Sequence, residues 1–271
     1  MKQILFTFFT FLAVSISAQN VKMNQEPSDT LSVEQNEILL TLTEQVIMNG
    51  VDSIMKEGMY MQALEMLDSF QTNWKKVSGR DPSYNVYLRR GRIYMDLEEW
   101  QKLIDTTIEC INLYEETLSD HATAFLYNLQ GLGYRNLEDY NNAIRSYEYA
   151  VSGYSKKVGD YGSLGDVLCS IAYSYDKLGK HLLASNFYKK GISKYFLYFN
   201  TTKKQLLQSS LIVDDPDKEA EVGLFSLHLF NMAVNEQDYG DRLASKEYLL
   251  MSAHCGNSKA KSEYERIYGR L

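Results

Sequence analysis

The chain has 271 residues, 45% of them hydrophobic and only three of them proline, a balance that excludes a disordered chain and supplies enough apolar side chain for a packed body. A formal net charge of −7 repels polyanions on average, and the basic pairs Lys75-Lys76, Lys156-Lys157 and Lys203-Lys204 are spread out as solvated faces, so no nucleic-acid partner is expected. Three cysteines in all are too few for a disulfide scaffold, and their odd number leaves at least one unpaired within the chain.

The chain opens with Met1 and Lys2, an apolar run from Ile4 to Val14, and the small residues Ser15, Ser17 and Ala18. This is the pattern of a secretory signal peptide over residues 1–18, since the run is about half the ~20 residues a membrane-spanning helix needs. No cysteine lies near the cleavage region to take a lipid. An exported protein, periplasmic or secreted, with no stable membrane anchor in its mature form is expected. Residues 19–32 read as a polar linker, and the first helix is expected after Ser32 as N-cap, with Gln35 completing a capping box.

From there a signature returns every 40 to 41 residues, at Ala63, Leu103, Ala143 and Ala184. Each lies twelve residues after Val51, Gly91, Gly131 and Ala172, and nine after the bulky Ile54, Tyr94, Tyr134 and Tyr175. A fixed period of this kind is structural. The third repeat reads most clearly: Tyr127, Gly131, Tyr134 and Leu137, then Tyr140, Ala143, Ile144, Tyr147 and Ala150, recur at helical steps on either side of a break at Glu138-Asp139. Two helices joined so tightly are antiparallel. Gly131 and Ala143 are expected where the pair crosses, and the repeat tyrosines, with Tyr248, between helices. Cys110 and Cys169 fall within repeats and read as buried small hydrophobes.

The pattern resembles the tetratricopeptide repeat family over residues 40 to 195, in Val51/Ile54/Tyr60/Ala63, Gly91/Tyr94/Trp100/Leu103, Gly131/Tyr134/Tyr140/Ala143 and Ala172/Tyr175/His181/Ala184. The period is longer than the usual 34 residues. The resemblance implies an all-α, right-handed α-solenoid of antiparallel helix pairs, with four repeats over residues 33–198. Beyond them the register breaks, and residues 199–215 read as an inserted connector. Asp215 and Pro216 are expected to start the next helix as N-cap and first helical residue. Residues 216–271 read as a fifth pair, with a Sel1-like resemblance in Ala244, Tyr248, Ala253, Gly256 and Ala260, and a polar capping helix from Lys259 to Tyr268.

No catalytic constellation is present. His121, His181, His228 and His254 lack metal-site spacing, no nucleophile elbow or phosphate loop occurs, and neither metal nor cofactor is expected. The resemblance instead implies a non-enzymatic scaffold whose first helices line a concave groove for a peptide or protein partner. It maps the groove-facing positions to Asn85, Arg89, Arg92, Phe125, Asn128, Arg135 and Tyr173, with Asp52, Asp96, Asp166, Ser170 and Asp176 among their neighbours. Guanidinium and amide groups there could hold a carboxylate or a peptide backbone. The alternatives are a structural subunit of an envelope complex using the convex face or the 199–215 insertion, and a glycan-processing accessory enzyme.

Overall fold

A computed structural model of the protein describes residues 33–79 and 81–271; the signal segment, the linker and the Ser32 cap lie outside them. Among the described residues every regular element is helical. The helices are α1 (Val33–Lys56), α2 (Tyr60–Ser78), α3 (Asn85–Asp96), α4 (Trp100–Tyr114), α5 (Asp120–Asn136), α6 (Tyr140–Tyr154), α7 (Tyr161–Lys177), α8 (His181–Tyr198), α9 (Lys203–Gln208), α10 (Glu219–Tyr239), α11 (Arg242–His254) and α12 (Ser258–Tyr268). They fall into two compact units, Met1–Lys102 and Leu103–Leu271, so the array expected over 33–198 divides within its second repeat.

The period in the sequence is the period of one turn. Gly58, Glu98, Glu138 and Gly179 all have positive φ, between 56° and 73°, in the three-residue links of the first four helix pairs. In each link the next backbone N–H reaches back to close a Schellman motif: Met59 to Ile54, Glu99 to Tyr94, Asp139 to Tyr134 and Lys180 to Tyr175, at 2.9–3.2 Å. The bulky residues of the signature therefore mark the last turn of each first helix. That position explains a departure from expectation: Tyr94, Tyr134, Tyr140 and Tyr175 are only partly buried because they flank the turn, whereas Tyr147, Tyr188 and Tyr248 are core.

In the first unit, Val51, Ala63, Leu67, Val86 and Ile93 are fully buried. α3 is fastened to both earlier helices by adjacent arginines, Arg89 to Asp52 of α1 and Arg90 to Asp68 of α2. Glu44 of α1 accepts from the Ser83 backbone and hydroxyl just before α3.

In the second unit, α5 packs on α6 and α7 on α8 through small residues. The ring of Tyr147 fills the space beside Gly131, and Gly191 lies against Cys169 Sγ and the Gly165 carbonyl. Tyr195 crosses over Gly165 in the same way. The α10–α11 hairpin adds Phe225, Leu229, Met232 and Leu249 to a core shared with Tyr188, Ile192 and Tyr195. The 199–215 segment includes the short helix α9, which seats Leu206 in that core while His254 Nδ1 bonds the Leu206 carbonyl at 2.7 Å. Pro216 does not begin the α-helix: Pro216–Lys218 form a 3-10 turn and α10 starts at Glu219, because Lys218 N–H bonds the Asp215 carbonyl in the tighter i→i+3 pattern. α12 buries only Ala260 and turns its charged residues outward, as a capping helix should.

Candidate functional site

The mapped groove positions lie on α3 in the first unit and on α5 and α7 in the second. On α3, Asn85 and Arg92 are exposed, while Arg89 is partly buried and forms a fork with Asp52 at 2.9 and 2.7 Å. A bidentate pair of this kind spends both the charge and the donors of the guanidinium within the unit. Arg89 is therefore a fastener of α3 to α1.

On α5 and α7 the arrangement differs. Phe125, Asn128, Arg135 and Tyr173 are all partly buried. The guanidinium carbon of Arg135 lies 5.6 Å from the centroid of the Tyr173 ring, and Lys177 Nζ lies 5.2 Å from the same ring. Such cation–π contacts hold a cation in place without neutralising it. Among the described residues no carboxylate forms an ion pair with Arg135. The structure thus brings Arg135 and Tyr173 together, and it sets Arg89 apart from them in role.

Two carboxylates share the α7 helix with Tyr173. Asp166 lies 2.9 Å from His228 Nε2 of α10, and Asp176 is held by His181 at 2.8 Å and by the Asn235 amide at 2.9 Å. The His181 ring stacks on Tyr239 with centroids 3.3 Å apart. Ser170, expected on this face, is buried. Neither the His228 nor the Asn235 contact was legible in the sequence, because His228 is 62 residues from Asp166 and Asn235 is 59 from Asp176.

Beneath α7 lie tyrosines whose hydroxyls titrate high. Burial pushes Tyr147 up to about 12, and burial raises Tyr188 and Tyr195 further. Among the described residues the hydroxyls of Tyr188 and Tyr195 and the Nδ1 of His228 have no hydrogen-bond partner. Tyr188 is within electrostatic reach of Arg135, Tyr173 and Asp176, whereas Tyr195 is within reach of Asp166 and Glu221. All three cysteines are buried, Cys255 included, and burial first of all pushes Cys110 and Cys255 up to about 12 and Cys169 well above its ordinary value. Thiols so protonated are poor nucleophiles and poor metal ligands. Among the described residues no cluster of histidine, cysteine and carboxylate could hold a metal ion, and no helix is long and apolar enough to cross a membrane.

No protein-family model and no curated protein matches the sequence. Solved structures do match in fold. A putative kinesin light chain from Podosopora anserina with nearly identical TPR-like repeats is 13% identical, over 79% of this chain and 95% of that one, at a TM-score of 0.55. BtubC from P. vanneervenii is 12% identical over 97% and 91% of the two chains, at 0.58. NprR in complex with its cognate peptide NprX is 16% identical over 98% and 72%, at 0.55. The fold is that of the tetratricopeptide-like helix-hairpin repeats. The likeness carries no Sel1-like detail for the tail.

Proposed function

We propose that the chain is an exported, non-enzymatic scaffold that holds an extended peptide or protein segment on the face formed by α5 and α7, with Arg135 and Tyr173 as anchors and Phe125 and Asn128 beside them. The observation that carries this reading is the state of Arg135. Its guanidinium is held over Tyr173 at 5.6 Å with no carboxylate ion pair among the described residues, so its donors are preorganised for an acceptor. The peptide bound to NprR supports the same reading by likeness of fold. Arg89, in the first unit, serves structure.

Export rests on the signal-peptide pattern of residues 1–18. Intact mass of the protein recovered from the exported fraction tests it. A chain beginning near Gln19 or Asn20 agrees, and a membrane-bound chain retaining Met1 contradicts it.

The binding reading is tested by capturing partners from the native envelope fraction with the wild-type chain and with Arg135→Glu. Loss of the captured species with unchanged helicity supports the face. Undiminished capture by Arg135→Glu, abolished instead by changes between Thr201 and Asp215, moves the site to the connector.

A further inference from the structure

The Asp166 end of α7 holds more acceptor capacity than the protein uses. His228 is 4% exposed, and its Nε2 lies 2.9 Å from Asp166 Oδ1. With the ring hydrogen on Nε2, His228 donates to Asp166 and leaves Nδ1 as a buried lone pair with no donor. The Asp166 side chain is still 26% exposed, so the carboxylate that His228 orients remains reachable from solvent. Tyr195, fully buried, brings an unpartnered hydroxyl within electrostatic reach of Asp166 and Glu221. Glu221, Phe225 and His228 form one stripe of α10, and the Tyr195 ring packs on Phe225 at 4.9 Å and on His228 at 5.9 Å. Glu221 Oε2 is also buried without a partner. Among the described residues no lysine or arginine forms an ion pair with either carboxylate.

We propose that this end of the face is a subsite for a cationic side chain, lysine or arginine, of the bound peptide, an inference that rests on the peptide-binding reading above. An ammonium brings three donors and a guanidinium five, which suits a site of surplus acceptors, and charge-assisted hydrogen bonds to a carboxylate are the strong ones. Lys177, eleven residues further along α7, and Arg135 of α5, both against the Tyr173 ring, repel the same group, so the face is charge-polarised. Asp166 and Tyr173 are seven residues apart, roughly 10 Å along the helix. An extended peptide covers that in about three residues. The basic residue therefore sits about three positions from the one seated at Arg135 and Tyr173.

The test uses the full chain and pools of N-acetylated octapeptides, each randomised except for one fixed residue. Pools fixed as lysine or arginine should bind at least tenfold more tightly than pools fixed as norleucine, and the preference should vanish in Asp166→Asn. Tyr195→Phe should lower the preference several-fold while raising the melting temperature, since it removes a buried hydroxyl that has no partner. A purely structural role for Tyr195 would leave the preference unmoved. Peptides that bind, respond to Arg135→Glu and yet show no basic preference overturn the subsite alone. Binding by no pool at all overturns the peptide-binding reading and the subsite with it.

Discussion

The ring of Tyr147 occupies the place a β-carbon on Gly131 would take, with ring atoms 2.6 Å from that position. Tyr147 is 1% exposed and Ala143 is fully buried, so neither the ring nor the helix behind it has room to yield. Gly131→Leu should destabilise the second unit by about 1–3 kcal/mol through overpacking. Lys157→Leu, on an exposed link, should change little. Thermal or denaturant unfolding of both variants checks the pair, and equal effects would contradict this packing.

Glu98 and Glu138 hold the left-handed turn position that Gly58 and Gly179 hold in the other two links. A side chain there costs about 1–2 kcal/mol, part of which a glycine returns by loosening the unfolded chain. Glu138→Gly should therefore stabilise by about 0.5–1 kcal/mol. Gly179→Ala should destabilise, because φ of 72° is strained for any side chain. Denaturant midpoints of the two variants should move in opposite directions.

These turns explain why so much of the fold was legible. Schellman closure needs a fixed number of residues between Ile54, Tyr94, Tyr134 or Tyr175 and the buried Ala63, Leu103, Ala143 or Ala184 of the next helix, and that number is written into the sequence as a period. Gly131 was legible for the same reason, since helix crossing constrains size directly. The contacts around α7 follow no such rule. Asp166–His228 and Asp176–Asn235 join helices on opposite sides of the 199–215 segment, so no periodic spacing marks them. Arg89 and Arg135 looked alike as helix arginines of the first helices. Their difference is whether an acid of the preceding repeat stands opposite: Asp52 does for Arg89, while Tyr173 of the following repeat faces Arg135.

Glu236 predicts an acid limit to stability. Burial pushes its carboxyl up, but the Asp241 backbone N–H, the Ser185 hydroxyl and the Lys189 ammonium together hold it below its ordinary value. A carboxyl whose value is lower folded than unfolded contributes stability that is complete above the unfolded value, ordinarily 4.5, and is lost as pH falls through the folded one. Glu236→Gln should lower stability at neutral pH by about 1.5–3 kcal/mol, the range for hydrogen bonds to a charged group. It should also flatten the fall in melting temperature below about pH 4.5. An unchanged acid limb in the variant would contradict this role.

Charge reversal should separate the fastening arginine of the first unit from its exposed neighbour. Arg89→Glu places a carboxylate against Asp52, its partner at 2.7 Å, and should lower the unfolding midpoint. Arg92→Glu, at an exposed position, should lower the midpoint less than Arg89→Glu does. Unfolding curves for the two variants check the distinction, and equal midpoints would contradict it.

The central claim, that the α5–α7 face binds a peptide through Arg135 and Tyr173, is tested most directly by the affinity of a captured partner for wild type and for Arg135→Glu. The account predicts at least a tenfold weaker complex with unchanged helicity and melting temperature, since loss of a charge-assisted contact costs about 2 kcal/mol or more. Lys157→Glu, on an exposed link, should bind as wild type does. Normal affinity in Arg135→Glu, with binding lost instead on substitutions between Thr201 and Asp215, would contradict it.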